Sequence, residues 1–244
     1  MDEYKLKTTD NHTIAVNMYA TGNRNDVLII APGWYMTKDA WAFKDISQEC
    51  FKFIDVITMD FRGHGRSSGF FTFTAKEVKD LTAVVKFAKE RYSKVYLMGF
   101  SLGAATSILY TSEYKDVDGV IAVSPPADFD KIEHKSYRKE AWQTTLKKFE
   151  IKRHFSIRPG NLFRKKIKPI TVVDKISPIP ILFIAGENDP TVFPWHTEAL
   201  YEKAGEPKQI KLFDKGKHAE DIFLEHQDEF MTLVKNYIMD NQEK

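Results

Sequence analysis

The sequence predicts an α/β protein whose core is a mostly parallel sheet of eight strands flanked by helices. Short strand-like runs alternate with segments that have the apolar spacing of helices. Several runs, such as residues 27–31 and 119–124, are continuously apolar, which is typical of parallel strands covered on both faces. Chains that alternate strand and helix in this way form parallel sheets with helices on both sides.

The predicted elements follow one another with short connections over most of the chain. The first two strands flank a turn at Asp10-Asn11, and we expect them to form an antiparallel hairpin at the edge of the sheet. The strand-like runs are residues 4–9, 13–19, 27–31, 53–59, 94–98, 119–124, 179–185 and 209–213. Helical segments are predicted at residues 37–50, 74–92, 104–109, 197–204 and 220 to about 239.

Composition is that of an ordinary globular domain. The chain has 244 residues, of which 43% are hydrophobic and 29% charged, enough to bury one substantial core. It begins with a polar segment and has no apolar run near the roughly 18 residues that a membrane span needs. We therefore expect a cytoplasmic protein without a signal peptide. The single cysteine, Cys50, excludes an internal disulfide, and we expect it to be a small buried residue.

Positive charge is concentrated in one segment. Residues 131–168 hold thirteen Lys and Arg against three Glu, although the net charge of the whole chain is only +2. If some of these cations face inward, they would attract anionic substrates such as acyl-CoA, acyl carrier protein or acidic phospholipid. The segment could also contact an anionic membrane surface weakly. Nucleic-acid binding is disfavoured, because no recognition motif accompanies the charge.

The pentapeptide Gly99-Phe100-Ser101-Leu102-Gly103 lies between a predicted strand and a predicted helix. This is the context of a nucleophile elbow, a turn so sharp that it needs glycine two positions either side of the serine. The turn would place the Ser101 hydroxyl at the positive end of the following helix. Taken alone, the pentapeptide also fits an ordinary strand-to-helix loop.

Four residues that could cooperate in catalysis lie shortly after the ends of predicted strands: Trp34, Ser101, Asp189 and His218. In parallel sheets the functional site lies at the carboxyl ends of the strands. A serine hydroxyl needs a base to remove its proton, and histidine titrates in the right range. A carboxylate then orients the histidine. The chain order serine, acid, histidine is that of one fold family in particular.

With these motifs the chain resembles the α/β-hydrolase fold superfamily, in its serine esterase and lipase-like branch of the monoacylglycerol lipase or cinnamoyl esterase type. The resemblance spans nearly the whole chain except the basic segment. The motifs that carry it are Pro32-Gly33-Trp34, residues 60–67, the pentapeptide 99–103, Gly186-Glu187-Asn188-Asp189 and Gly216-Lys217-His218.

The resemblance implies a role for each site residue. Ser101 would be the nucleophile, His218 the general base and then acid, and Asp189 the orienting carboxylate. The backbone N–H groups of Trp34 and Leu102 would form the oxyanion hole, and Gly99 and Gly103 would permit the elbow. The reaction would be ester cleavage through an acyl-enzyme, with no metal or organic cofactor.

The resemblance also implies a division of the chain. Residues 1–126 and 177–244 would form the α/β-hydrolase core, and residues 127–176 a basic cap or lid inserted after strand 6. Apolar residues of this insert would either anchor the cap or line an acyl pocket. They are Tyr137, Trp142, Leu146, Phe149, Ile151, Phe155 and Phe163.

Some residues depart from the family pattern or compete with these assignments. The family usually has His-Gly before the oxyanion residue, whereas this chain has Pro32-Gly33, so the hydrogen bonds of that histidine must come from elsewhere. His64 is an alternative base, and Asp128, which follows the sixth strand, is an alternative acid. We expect His226 to lie inside the last helix as a surface or packing residue. A nucleophilic aspartate is disfavoured because the elbow holds Ser101.

Three functions are open at this point. The first is a carboxylic-ester hydrolase acting on small acyl or aryl esters or monoacylglycerol-like lipids. The second, motivated by the basic insert, is a thioesterase or acyltransferase acting on acyl-CoA or acyl carrier protein. The third is a non-catalytic binding protein of the same fold. Peptidase and carbon–carbon hydrolase activities use the same triad and stay open. The sequence assigns no oligomeric state.

Overall fold

A single twisted sheet organises the chain in a computed structural model, which describes residues 1–132, 156–161 and 164–242. Over these residues the sheet has eight strands. They are β1 (Asp2–Lys7), β2 (Thr13–Tyr19), β3 (Asp26–Ala31), β4 (Asp55–Met59), β5 (Lys94–Phe100), β6 (Gly119–Val123), β7 (Ile181–Gly186) and β8 (Lys208–Phe213).

The strand order across the sheet is β1-β2-β4-β3-β5-β6-β7-β8. β2 runs antiparallel to both of its neighbours, β1 and β4, and the pairs from β4 to β8 are parallel. The predicted mostly parallel sheet and its antiparallel edge hairpin are therefore confirmed. β5 lies at the centre, where its carboxyl end is flanked by those of β3 and β6.

Helices cover both faces of the sheet. On one face α2 and α3 pack against alternate strand residues such as Val27 and Ile29, and on the other α1 and the C-terminal helices pack against Leu28 and Ile30. The helices are α1 (Trp41–Phe51), α2 (Val78–Lys89), α3 (Leu102–Tyr114), α4 (Pro194–Lys203), α5 (Glu220–Glu225) and α6 (Gln227–Gln242). Within the described ranges, no helix is long and apolar enough to cross a membrane.

All the predicted helices differ in their bounds from those observed, and two of the differences involve backbone angles that a helix does not adopt. The segment 220–239 is interrupted at His226, whose φ of −134° and ψ of 44° end α5. The prediction that His226 lies inside the last helix was therefore wrong, and its ring packs against Phe213 at a centroid distance of 5.4 Å. α2 begins at Val78 rather than at residue 74, and the positive φ of Phe73 and Thr74 excludes these two residues from the helix.

The insert is described only in part. Its described residues form three short 3-10 turns, at Phe129–Lys131, Pro169–Thr171 and Val173–Ile176. Pro159 makes an isolated bridge with Phe71 next to the site. The apolar residues predicted to anchor the cap or line an acyl pocket, from Tyr137 to Phe163, lie outside the described residues. The division into core and cap stays a prediction.

Close backbone packing at Gly103 generates the first testable prediction. A Cβ atom at this position would lie 2.1 Å from the carbonyl oxygen of Ala31, in the neighbouring strand β3. We expect Gly103→Ala to lower the free energy of unfolding by about 3 kcal/mol, because backbone must move to admit the methyl group. Urea denaturation measures the change, with Glu113→Ala on the exposed face of α3 as the control. Equal stability of the two variants would contradict the packing argument.

Candidate active site

The turn between β5 and α3 lifts Ser101 out of the sheet. Its φ of 50° and ψ of −112° are strained for a residue with a side chain, a conformation that costs about 1–3 kcal/mol and persists only where surrounding structure enforces it. The Ser101 N–H donates to the carbonyl oxygen of Val123 at 2.7 Å, which fixes the turn on β6. Gly99 permits it, because a Cβ there would lie 2.4 Å from the carbonyl oxygen of Gly103.

Three side chains that are far apart in sequence meet at this turn. His218 Nε2 lies 3.0 Å from Ser101 Oγ, and His218 Nδ1 lies 2.7 Å from Asp189 Oδ2. A carboxylate can only accept, so Nδ1 carries the ring proton and Nε2 accepts from the serine hydroxyl. The Asp189 side chain is fully buried and that of His218 is 16% exposed. The arrangement can move a proton from hydroxyl to imidazole.

Asp189 is held by the loop that follows β7. Its second carboxylate oxygen, Oδ1, accepts the backbone N–H groups of Thr191 at 2.8 Å and Val192 at 2.9 Å. These two bonds leave Oδ2 pointing at the imidazole of His218. The carboxylate is thus oriented before any substrate arrives, which is the role that second hydrogen-bond partners play in such sites.

The alternative acid, Asp128, is engaged elsewhere. Its carboxylate forms an ion pair with Lys168 at 2.8 Å and accepts the backbone N–H of Asp130 at 3.0 Å. The hydrogen bond from Lys168 lowers the pKa of Asp128 against the opposing effect of burial. Among the described contacts, the carboxylate that reaches His218 is Asp189.

The alternative base, His64, is buried away from Ser101. Its Nδ1 lies 3.2 Å from the carbonyl oxygen of Arg62, and its Nε2 accepts the backbone N–H of Tyr35 at 3.3 Å. Burial lowers the pKa of His64 to about 4, so the ring is neutral near pH 7. Through the bond from Tyr35, His64 holds the loop that contains Gly33 and Trp34. This hydrogen bond comes from outside the Pro32-Gly33 motif, where the family usually has a histidine.

Arg62 fixes the loop of residues 60–67, which carries His64. Its buried guanidinium pairs with Asp80 at 2.7 Å and with Asp10 at 2.9 Å. Asp80 also accepts the backbone N–H of Arg62 at 2.9 Å. These bonds fix the planar guanidinium in one orientation. They thereby also fix the backbone of Arg62, whose carbonyl oxygen lies next to His64 Nδ1. The sequence marked the run 60–67 as a motif, but it did not indicate these partners.

The two residues predicted to form the oxyanion hole, Trp34 and Leu102, line the same pocket as Ser101. Leu102 is the first residue of α3, whose positive end therefore faces the pocket. In the described part of the chain, neither the Trp34 N–H nor the Leu102 N–H has a protein acceptor. Both groups can donate to an oxyanion.

The pocket in front of Ser101 has a volume of about 670 Å³, and its lining contains two chemically different groups of residues. The apolar group, which we call the apolar wall, consists of Trp34, Phe73, Leu102, Phe129, Ile132 and Val192. The basic group, which we call the cationic edge, consists of Arg164, Lys165, Lys166 and Lys168. A pocket of this size accommodates a typical small-molecule ligand. Within the described ranges, no three His, Cys, Asp or Glu side chains gather into a metal site.

Ser124, at the end of β6, is a positioning residue that sequence reasoning missed. Its side chain is fully buried and its Oγ accepts the backbone N–H of Ala219 at 3.0 Å. Ala219 directly follows His218 and has a φ of 54°. The bond therefore fixes the backbone that carries the imidazole. Its only sequence signal is a polar residue directly after a strand that is otherwise apolar.

Comparison with known proteins gives a family and a fold. The family model described as serine aminopeptidase, S33 (Hydrolase_4) matches residues 36–166. The uncharacterized protein YqkD of Bacillus subtilis is 32% identical over 171 residues, which is 68% of this chain and 56% of that protein. The chain thus spans little more than half the length of this curated relative.

Solved structures of low sequence identity share the architecture. The esterase Pf2001 of Pyrococcus furiosus superposes with a TM-score of 0.79 at 22% identity, covering 98% of this chain and 91% of that one. The α/β hydrolase GrgF of Penicillium sp. sh18 superposes with a TM-score of 0.81 at 18% identity, covering 100% and 99%. At such identities the likeness establishes the fold.

The burial of His64 predicts a pH dependence of stability. The ring binds a proton at about pH 4 in the folded chain but near 6.5 when unfolded, so the unfolded state gains protons first as the pH falls. The stability that the neutral His64 ring contributes is therefore fully present above pH 6.5. About 3 kcal/mol of this contribution is lost by pH 4. We expect His64→Gln, which does not titrate, to flatten this loss in urea denaturation. The half-buried His12 provides the matched control, and a loss of equal size in His64→Gln and His12→Gln would refute the assignment.

Proposed function

This chain belongs to the serine aminopeptidase S33 family of hydrolases, and from that premise we propose that it hydrolyses carboxylic esters through an acyl-enzyme on Ser101. The observation that carries the proposal is the pair of hydrogen bonds on His218, 3.0 Å to Ser101 Oγ and 2.7 Å to Asp189 Oδ2. A histidine bonded in this way can take the serine proton without moving.

In the proposed first step, Ser101 Oγ attacks the ester carbonyl carbon and its proton passes to His218 Nε2. Asp189 stabilises the imidazolium that forms, while remaining ionised itself. The carbonyl oxygen becomes an oxyanion and accepts hydrogen bonds from the N–H groups of Trp34 and Leu102. Donors of this kind typically contribute about 3 kcal/mol to transition-state stabilisation.

The tetrahedral intermediate then collapses and the ester C–O bond breaks. His218 returns the proton to the leaving alkoxide, which departs as an alcohol and leaves the acyl group on Ser101. In the second half, a water molecule takes the place of the alcohol and gives its proton to His218. Its oxygen attacks the acyl carbon, and the acid leaves as the proton returns to Ser101 Oγ.

The apolar wall suggests the kind of ester. Aromatic rings of Trp34 and Phe73 pack at a centroid distance of 5.7 Å, and Phe73 meets Phe129 at 5.5 Å. Such a surface favours an acyl chain or an aryl group of modest size over a peptide backbone, because it offers few polar partners. The P. furiosus protein Pf2001, which shares this fold, is an esterase and agrees with this choice.

A thioesterase or acyltransferase activity is the second candidate, and the cationic edge is the observation that favours it. Both chemistries use the same acyl-Ser101, and they differ in the leaving group or in the nucleophile that completes the reaction. A thiol leaves more readily than an alcohol, so a thioester places smaller demands on His218 as an acid.

Covalent labelling tests the proposed nucleophile. We expect a fluorophosphonate probe to label the wild-type chain and to leave Ser101→Ala unlabelled, because phosphonylation needs an activated hydroxyl. Ser112→Ala is the matched control, since Ser112 lies on the same helix and bonds only within it, to the carbonyl oxygen of Leu109. Intact-protein mass spectrometry measures the adduct. An adduct on Ser101→Ala, or none on the wild-type chain, would rule out Ser101 as nucleophile.

A further inference from the structure

We propose that the substrate carries an anionic group, a carboxylate or a phosphate, which the cationic edge binds while the apolar wall holds the hydrophobic part of the same molecule. The inference rests on the proposed function, since it names the substrate class for the ester cleaved at Ser101. It starts from the composition of the pocket lining, in which four basic residues line the same pocket as Ser101.

Charge in the pocket lining is poorly balanced. Among its described residues, the four cations of the edge are accompanied by one carboxylate, Asp130. Clefts lined by one sign of charge focus the field and raise the local concentration of oppositely charged ligands.

The four cations have different surroundings. Lys168 is paired with Asp128 at 2.8 Å and with Asp130 at 2.6 Å, so its charge is largely offset and it anchors the segment. Lys166 Nζ lies over the ring of Phe73, 5.5 Å from its centroid, and so connects the edge to the apolar wall.

The charges of Arg164 and Lys165, unlike that of Lys168, are not offset by a carboxylate of the described residues. Both are exposed, and neither forms an ion pair with any residue in the described ranges. A guanidinium presents a planar fork that fits carboxylate and phosphate oxygens bidentately, and a neighbouring ammonium adds a point charge. We therefore assign the anion-binding role chiefly to these two residues.

Exposure sets the size of the expected effect. An ion pair in contact with solvent contributes little by itself, and salt screens it further. Two cations at one pocket rim that act on one anion should change kcat/KM by about tenfold at low ionic strength. This preference should shrink as salt is added, whereas binding to the apolar wall should not.

The test compares two esters that differ only at the far end of the acyl chain. 4-Nitrophenyl hexanoate ends in a methyl group, and mono-4-nitrophenyl adipate has a carboxylate in its place. We expect Arg164→Glu/Lys165→Glu to lower the adipate-to-hexanoate ratio of kcat/KM by about tenfold or more at about 0.02 M ionic strength, and much less at about 0.5 M. The milder Arg164→Gln/Lys165→Gln should give a smaller loss in the same direction.

A double variant with the same change in net charge provides the control. Lys44 on α1 and Lys235 on α6 are exposed and lie outside the pocket lining, so Lys44→Glu/Lys235→Glu should leave the ratio unchanged.

A second pair of substrates, hexanoyl-CoA and hexanoyl-pantetheine, tests whether phosphate is the preferred anion. A response confined to that pair assigns the edge to a phosphate-bearing thioester, and a response confined to the adipate assigns it to a carboxylate.

The outcomes separate this inference from the proposed function. If neutral hexanoate is cleaved but neither ratio changes in the edge variants, the inference fails and ester hydrolysis stands. A fall of equal size in the control variant also overturns it, because the effect would then come from overall charge. If none of the four substrates is cleaved, the proposed function fails and this inference fails with it.

Discussion

The positive φ of Ser101 is the constraint on which the site depends, because only that conformation turns a hydroxyl out of the end of β5 toward His218. Two further residues with side chains have positive φ close by, Ser124 and Ala219. Ser124 accepts the N–H of Ala219, so two strained residues are joined next to the imidazole. Ser101 and Ser124 directly follow the neighbouring strands β5 and β6, and the packing of the buried sheet holds these strained residues in place.

Hydrogen bonds to the loops fix the partners of Ser101 in turn. The loop after β7 aims Asp189 through two backbone donors, and His64 holds the Trp34 loop through Tyr35. His64 itself depends on the ion pairs of Arg62. The candidate catalytic groups thus lie at strand ends and on loops, where hydrogen bonds from neighbouring residues orient them. Thr191 and Val192 serve both purposes, because they line the pocket and donate to Asp189.

Much of this architecture could be predicted from the sequence, because continuous apolar runs identify parallel strands and residues just after strands converge in a parallel sheet. The break at His226 could not be predicted, because the apolar pattern continues as in a helix and only the backbone angles of this residue interrupt it. The positive φ of Phe73 and Thr74, which excludes both residues from α2, could not be predicted either. The choice of acid was predicted only through the family motif at residues 186–189, which favoured Asp189, the residue that reaches His218. It left Asp128, which pairs with Lys168, as an alternative.

The central claim is that Ser101 and His218 act as one unit, and non-additivity of their removal tests it most directly. We would measure kcat for hydrolysis of a 4-nitrophenyl ester by Ser101→Ala, by His218→Ala and by the variant that combines both. If the imidazole works only through the hydroxyl, the combined variant will be no slower than Ser101→Ala. Losses that multiply would mean that the two side chains contribute independently, and would contradict the account.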